Sequence, residues 1–565
     1  MDYIGPLQQF KQRALQNPEM PYLHQPTDGN WRVYSWAETD EMARCVAAGL
    51  QSLGLEAGDR VAILAKNSAE WLIVDIGIAM AGMISVPIYS TAGTDTISYV
   101  LEHSESKALF VGKLDSTTAL GAVNTNIKTI GFPYAGIKAD LSWDDWLASQ
   151  TPIEVTADPA LDDIYTIVYT SGSTGKPKGV ALSSRNLAAA SNDAVAWLPE
   201  GENRIISYLP LAHITERSVV SMNSLYANLQ IFYNDSLETF VDDLRHTNPT
   251  AFLSVPRLWA KFQSKVLDQI PDKKLQRLLS IPIVGKRVAK KIRHQLGFGD
   301  CEFFGSGSAP ISPELLRWYN RLGINIAEGW GMSETSGASC TNQPFEASKL
   351  GTIGAPCKSV ELKVSAGGEL LIRGPSVFKQ YYKNDEATNE SFEGDWFKTG
   401  DKAVQRKDGA WLIVGRVKEQ FKTAKGKYVA PVPIESLLGA NTFIEQSCVL
   451  GSGLPQPVAL VVTNAGANVS RDELNESFSA TLDSVNGQLE SHQRLSNIVV
   501  CDEPWSIDND MLTPTLKLKR DRIEERYRQL IENEVAYSGK NSSGNGNKTA
   551  SGSIHIDNKI AWIAS

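Results

Sequence analysis

No Cys-x-x-Cys pair occurs in this sequence; its six cysteines stand far apart at positions 45, 301, 340, 357, 448 and 501. Such spacing argues against a disulfide scaffold or a cysteine-built zinc site and fits a reducing compartment. A basic excess is missing too. The formal net charge is −9, whereas a nucleic-acid surface would call for clustered positive charge. Residues 1 to 30 carry acids, prolines and a Gln-rich start, not the basic and then apolar pattern of a secretory leader. The most apolar stretch, Ile73 to Tyr89, is broken by Asp75, Gly77, Gly82 and Pro87. It falls short of a spanning helix and reads as a buried helix followed by a core strand.

What is present is an ordinary globular composition, 42% hydrophobic and 21% charged over 565 residues, long enough for two to four domains. Tyr169 to Val180 reads Tyr-Thr-Ser-Gly-Ser-Thr-Gly-Lys-Pro-Lys-Gly-Val behind the β-branched run Ile164 to Thr170. Glycines let backbone N–H groups face an anion, hydroxyls add donors and lysines add charge, so the loop is suited to phosphate. A Walker A loop is excluded, because it would need Gly where Thr170 stands and Ser or Thr where Pro177 stands.

Along the chain, Ser35 to Glu38 forms a capping box before Met42, Val46, Leu50 and Leu53 recur at helical spacing. Strands are expected at Val61 to Ala65 and Ala108 to Val111, so helix and strand alternate as in a layered α/β fold. Asp115 to Pro159 reads only as a connecting region. Tyr208 to Arg217 and Ser254 to Trp259 each run from a strand into a helix. Between Lys273 and Arg293 eight basic residues surround Ile281-Pro282-Ile283-Val284. That segment is either a solvated helical face or a surface for anionic lipid headgroups and phosphate-bearing acyl substrates. Gly305 to Pro310 follows a strand at Cys301 to Phe304 and offers small residues against which a flat ring could lie. Helix Pro313 to Leu322 and strand Ile324 to Ala327 lead to Gly329-Trp330-Gly331-Met332-Ser333-Glu334-Thr335, read as a tight turn. Several strands ending in polar, glycine-rich turns point to one cleft at the carboxyl edge of a sheet. From Gly351 the pattern becomes one of short strands containing Thr399-Gly400-Asp401. Past Gly415-Arg416 a compact α+β unit runs to about Arg528, and a Ser, Gly, Asn and Lys tail follows Tyr537.

The order of these motifs resembles the adenylate-forming (AMP-binding) enzymes, over roughly residues 20 to 530. The subgroup most similar is the long-chain fatty acyl-CoA synthetases, on the strength of Tyr208 to Arg217, Gly415 to Glu435 and Leu512 to Arg520. The resemblance implies a large N-terminal domain of layered α/β subdomains over 1–416, with a β subdomain at about 351–416. A small mobile α+β domain over 417–536 and a flexible tail over 537–565 would follow. It implies ATP-dependent activation of a long-chain fatty acid to acyl-AMP and transfer to CoA, with Mg2+ as cofactor and ATP and CoA as co-substrates. A ligase that stops at acyl-AMP or loads a carrier protein is an alternative, and a non-catalytic nucleotide-binding protein is a distant one. A cytoplasmic protein is expected, touching the inner face of a membrane, if at all, through 273–293; no nucleic-acid partner is expected.

By the same resemblance, Thr170, Ser171, Gly172, Ser173, Thr174, Gly175 and Lys178 hold the β and γ phosphates. Thr170 and Glu334 hold the metal. Gly307, Ser308, Ala309 and Pro310, with Gly329, Trp330, Gly331, Met332 and Ser333, frame the adenine, while Asp401 and Arg416 serve the ribose. Lys517 brings charge to the α-phosphate, and His213 lies near the acyl carboxylate. Lys418 matches the hinge, Gly426 the pantetheine contact and Trp259 the acyl gate. Trp330 stands where Tyr is usual, Ser333 where Thr is usual, and Ser184 replaces a frequent His.

Overall fold

The computed structural model describes residues 2–27, 29–124, 126–170, 176–464, 469–501, 503–513, 516–528, 531, 555–557 and 560–562. The Ser35 capping box forms, with both reciprocal bonds, and opens helix Trp36–Ser52. The apolar stretch after it becomes helix Ala69–Met80, buried on every side, followed by strand Ile84–Ile88. A helix apolar all round has to lie inside, and this one is packed under an eight-stranded sheet.

That sheet runs in the order Gln380–Tyr381, Lys178–Ser183, Ile164–Thr170, Ile84–Ile88, Arg60–Ala65, Ser106–Gly112, Lys128–Gly131, Leu141–Ser142. The expected connecting region thus supplies two edge strands and the helix Trp143–Ala148 between 128 and 148. Its weak periodicity hid them because two of the strands are only two to four residues long. A second sheet joins Asn203–Ser207, Leu229–Tyr233, Pro21–Thr27 and Asn30–Ser35. A third joins Ala251–Ser254, Phe303–Ser306, Ile326–Met332, Gly337–Thr341 and Ala355–Pro356.

Two sequence expectations need correction here. The segment read as a tight turn continues strand Ile326–Met332 through Gly329, Trp330 and Gly331, antiparallel to Gly337–Thr341 with a bulge between Trp330 and Gly331. Glycine at 331 permits this because a Cβ there would lie 1.6 Å from the Gly337 carbonyl oxygen. The turn itself comes later, at Ser333–Ser336. The β region after Gly351 is also not self-contained: Ala355–Pro356 completes the third sheet and Gln380–Tyr381 the first. Its own sheet is built from Glu361–Val364, Glu369–Arg373, Trp396–Gln405, Phe392–Glu393 and Trp411–Arg416.

The small C-terminal domain packs helices Pro431–Leu438 and Arg471–Asn486 against a sheet of Ile444–Leu450, Val458–Thr463 and Ile498–Cys501. Two strands of the expected flexible tail, His555–Asp557 and Ile560–Trp562, extend this sheet, the latter pairing in parallel with Ile498–Val500. They cover what would otherwise be an open edge of backbone donors and acceptors. Arg257 bonds Glu445 at 2.5 Å and Asn464 bonds Ser264 at 3.2 Å, tying the small domain to the large one.

Candidate active site

The site is assembled from strand ends and the turns behind them. Thr170 and Lys178 face each other across the antiparallel pair that flanks the phosphate loop. Ser171, Gly172, Ser173, Thr174 and Gly175 lie outside the described residues. The Lys178 ammonium sits 4.8 Å from the centre of the Tyr381 ring, and the Tyr381 hydroxyl donates to Glu334 Oε1 at 2.8 Å. Tyr381 therefore links the loop lysine to the carboxylate expected at the metal. It was missed in the sequence because Gln380-Tyr381-Tyr382 reads as a strand fragment and nothing local marks which ring turns inward.

Asp401 and Arg416 are direct partners across strands Trp396–Gln405 and Trp411–Arg416. Arg416 Nε meets Asp401 Oδ1 at 2.9 Å, and the indole Nε1 of Trp330 donates to Oδ2 at 2.8 Å. A carboxylate oxygen can accept more than one bond, so this buried carboxylate is held in a fixed plane with acceptor capacity to spare. Trp330 thus does more than offer a flat ring: its N–H orients the Asp401 carboxylate.

Gly307 to Pro310 follows strand Phe303–Ser306, and the strand ends two residues later than expected. Ser308 adopts the left-handed conformation at φ 67°, uncommon for a residue with a Cβ. Its hydroxyl lies 3.0 Å from that of Thr215, which joins the Gly307 to Pro310 loop to the His213 segment. His213 caps the short helix Ile214–Glu216, its Nδ1 accepting from the Thr215 N–H at 3.2 Å. That bond leaves the proton on Nε2. Burial and the nearby Lys517 push the His213 pKa down to about 3, so the ring is a neutral donor at working pH.

The residues after His213 explain the rest of that motif. Glu216, buried, accepts from the Ser207 hydroxyl at 2.7 Å, the Tyr208 N–H at 3.0 Å and Asn67 Nδ2 at 3.3 Å. Burial raises its pKa to about 8. Arg217, with no exposed side chain, bonds Asp75 Oδ1 at 2.7 Å and the Ser85 hydroxyl at 2.8 Å. Breaking a buried pair of this kind costs about 3–5 kcal/mol, so the segment that carries His213 is pinned to the core on both sides.

Lys517 comes from the small domain. It sits in a tight loop in which its N–H donates to the Thr513 hydroxyl at 3.1 Å and the Thr513 N–H donates to its carbonyl at 2.8 Å. Its side chain is exposed to solvent at the mouth of the cleft. Partial desolvation by the surrounding protein, then Arg416, lowers its pKa, while Asp401, Glu334 and Glu419 act the other way. Lys517, Asp401, Arg416, Glu334 and His213 therefore share one electrostatic neighbourhood.

Trp259 is fully buried on helix Pro256–Gln269, its Nε1 bonding the Gly305 carbonyl at 3.3 Å among Phe252, Phe262, Phe298 and Tyr319. Phe262 and Val266 of the same helix line a cavity of about 230 Å³, together with Arg245 and Lys265. Lys418 is exposed in the connection between domains. Gly426 lies in the exposed loop between Phe421–Lys422 and Tyr428–Val429 at φ 75°, where a Cβ would meet only Lys422 Cε, at 3.8 Å. The loop is tied to the neighbouring turn by the Ala424 N–H, which donates to the Leu454 carbonyl at 2.8 Å.

Comparison with known proteins agrees with this geometry. The AMP-binding enzyme family matches residues 10–382, and its C-terminal domain family matches 418–540. The long-chain-fatty-acid–CoA ligase FadD15 of Mycobacterium bovis is 31% identical over 570 residues, spanning 91% of this chain and 94% of the relative. Fatty acyl-CoA synthetase A of Dictyostelium discoideum is 30% identical, spanning 89% of this chain and 86% of the relative. The crystal structure of the anthranilate CoA ligase AuaEII in complex with anthranoyl-AMP superposes with a TM-score of 0.77 over 93% of this chain and 97% of that one, at 21% identity. Fold, strand-end residues and sequence thus converge, and this chain belongs to the AMP-binding enzyme family, in both its large domain and its C-terminal domain.

Proposed function

We infer that this protein activates a long-chain fatty acid with ATP and passes the acyl group to CoA, releasing AMP and pyrophosphate. The observation that carries the reading is the buried Asp401 carboxylate, held by Arg416 at 2.9 Å and by the Trp330 indole at 2.8 Å, in a cleft where Lys517 of the small domain feels the charges of Asp401, Arg416 and Glu334. The acyl substrate class comes from relatives that match along most of the chain, among them ones named as a long-chain-fatty-acid–CoA ligase and a long chain acyl-CoA synthetase.

In the first half-reaction a carboxylate oxygen attacks the α-phosphorus and the bond to the β-phosphate breaks, so pyrophosphate leaves. The chain's part is positioning and charge. Asp401 holds the ribose, Lys178 and the loop before it hold the departing phosphates, and Lys517 offsets charge on the α-phosphate and the carboxylate. His213 donates its Nε2 proton as a hydrogen bond to the acyl carboxylate. In the second half-reaction the CoA sulfur attacks the acyl carbon and the bond to AMP breaks. Rotation of the small domain about Lys418 would withdraw Lys517 and bring the Gly426 loop to the pantetheine, a division of labour that two steps at one site require.

Glu334 suits a magnesium ion. A hard cation that takes one carboxylate plus substrate phosphates needs no protein cage, and the described residues hold no cluster of three His, Cys, Asp or Glu that could form one. Tyr381 occupies Oε1 and orients the carboxylate, while Thr170, the strand partner of Lys178, would supply a hydroxyl. Mg2+, when bound there, neutralises phosphate charge. The resemblance makes the Trp259 indole the acyl gate, and the mainly apolar cavity lined by Phe262 and Val266 of the same helix suits a hydrocarbon chain.

Mass spectrometry of reactions with palmitate, ATP, Mg2+ and CoA tests the reading. Palmitoyl-CoA with AMP is the expected product. Palmitoyl-AMP without thioester would move the assignment to an acyl-AMP or carrier-protein ligase, and neither product across a panel of acids would sink both.

A further inference from the structure

The basic stretch from 273 to 293 contains eight Lys or Arg residues and no acid, in a chain whose net charge is −9. It folds as helices Asp272–Leu279 and Pro282–Gln295, packed against each other and joined by a tight turn. Gly285 makes the turn compact: a Cβ there would lie 2.4 Å from the Leu279 carbonyl oxygen. Leu275 and Ile292 anchor the pair to the large domain, both essentially buried. Lys273, Lys274, Arg277, Lys286, Arg287 and Lys290 are all exposed.

The turn is the unusual part. Ile281, Ile283 and Val284 stand at its tip with 49%, 69% and 38% of their surface exposed. A lone exposed aliphatic needs no explanation, but three within four residues, ringed by lysine and arginine, present an apolar point inside a positive collar. A solvated helical face would not gather its aliphatic side chains at the turn. Among the described residues no helix is long and apolar enough to cross a membrane, so contact with a bilayer would be superficial.

We propose that this helical pair docks the protein on anionic lipid bilayers, with Ile281, Ile283 and Val284 entering the acyl boundary and the flanking lysines and arginines meeting headgroup phosphates. Apolar burial and attraction to anionic lipid add in such interfacial elements. The inference stands on exposure and charge, apart from the ligase reading.

Flotation of the full chain with phosphatidylcholine vesicles, with and without phosphatidylglycerol, tests it. Binding is expected only to the anionic vesicles. Each of Lys286→Gln, Arg287→Gln and Lys290→Gln should lower the partition coefficient about fivefold, the effect of roughly 1 kcal/mol per basic residue near such a surface. Ile283→Ser should lower it about tenfold through lost apolar burial. All six native cysteines are buried, so Ile283→Cys can be labelled selectively with an environment-sensitive fluorophore, whose emission should shift to the blue with anionic vesicles alone. No vesicle binding, binding indifferent to both kinds of substitution, or binding to soluble heparin as tight as to vesicles with no blue shift would each overturn the proposal.

Discussion

Replacing Trp330 with Phe keeps a flat ring in the cleft and removes one N–H. In the structure that N–H reaches Asp401 Oδ2 at 2.8 Å, and Asp401 is only 4% exposed. The other restraint, Arg416 on Oδ1, has a side chain that is 42% exposed, and such partly solvated pairs contribute about 0–1 kcal/mol. A buried bond to a charged acceptor contributes about 1.5–3 kcal/mol, so the indole is the stronger of the two restraints. Not all of that transfers to nucleotide binding. What AMP must supply in the variant is the cost of ordering a loosened side chain, about 0.5–1.5 kcal/mol. The dissociation constant for AMP, measured by calorimetry, should therefore rise about three- to tenfold, and KM for ATP with it. The rate of the chemical step should change little, because ribose contacts hold substrate and transition state alike. KM for the fatty acid should not move. An unchanged AMP affinity, or a fall in kcat at constant KM for ATP, would refute the role assigned to Trp330.

Tyr381→Phe removes the hydroxyl from Glu334 but leaves the ring under Lys178. The Mg2+ concentration for half-maximal adenylation should rise about fivefold at constant KM for palmitate; an unaltered Mg2+ profile would show that Tyr381 does not orient the carboxylate. Glu216 keeps its proton in the native state up to about pH 8, whereas the unfolded chain releases it near the ordinary carboxylate value. Stability from this group is therefore full at low pH and lost as pH rises towards 8. Glu216→Gln, which retains an acceptor for Ser207 and Tyr208, should flatten the dependence of Tm on pH between 5 and 8; a profile parallel to that of the parent protein would contradict the buried, protonated Glu216.

Much of the fold was legible because burial follows period. Helix Trp36–Ser52, strand Arg60–Ala65 and the all-buried helix Ala69–Met80 each declared themselves by cap or by apolar spacing. Short strands such as Leu141–Ser142 and Gln380–Tyr381 carry too few residues for any period, and they exist because a neighbouring edge accepts them. The stretch at Gly329 to Met332 read as a turn because glycines usually mark one. Here they admit close backbone packing in a strand instead. At the candidate site, residues with their own chemistry in a motif were visible: His213, Glu334, Asp401, Arg416 and Lys517. The residues that hold them, Tyr381 on Glu334 and Trp330 on Asp401, act across long sequence separations that no local pattern encodes. Glu216 and Arg217 were inside a noted motif, but their function as anchors depends on Asn67, Asp75 and Ser85, far away in the chain.

The central claim is that Lys517 belongs to the first half-reaction only. Lys517→Ala should be assayed in the two halves separately: pyrophosphate release with palmitate and ATP, and palmitoyl-CoA formation from supplied palmitoyl-AMP and CoA. Loss of a cation aimed at developing phosphate charge should slow the first on the order of a hundredfold or more, while the second stays within about twofold of the parent enzyme. Equal loss in both halves, or an adenylation rate that survives the substitution, would contradict the account.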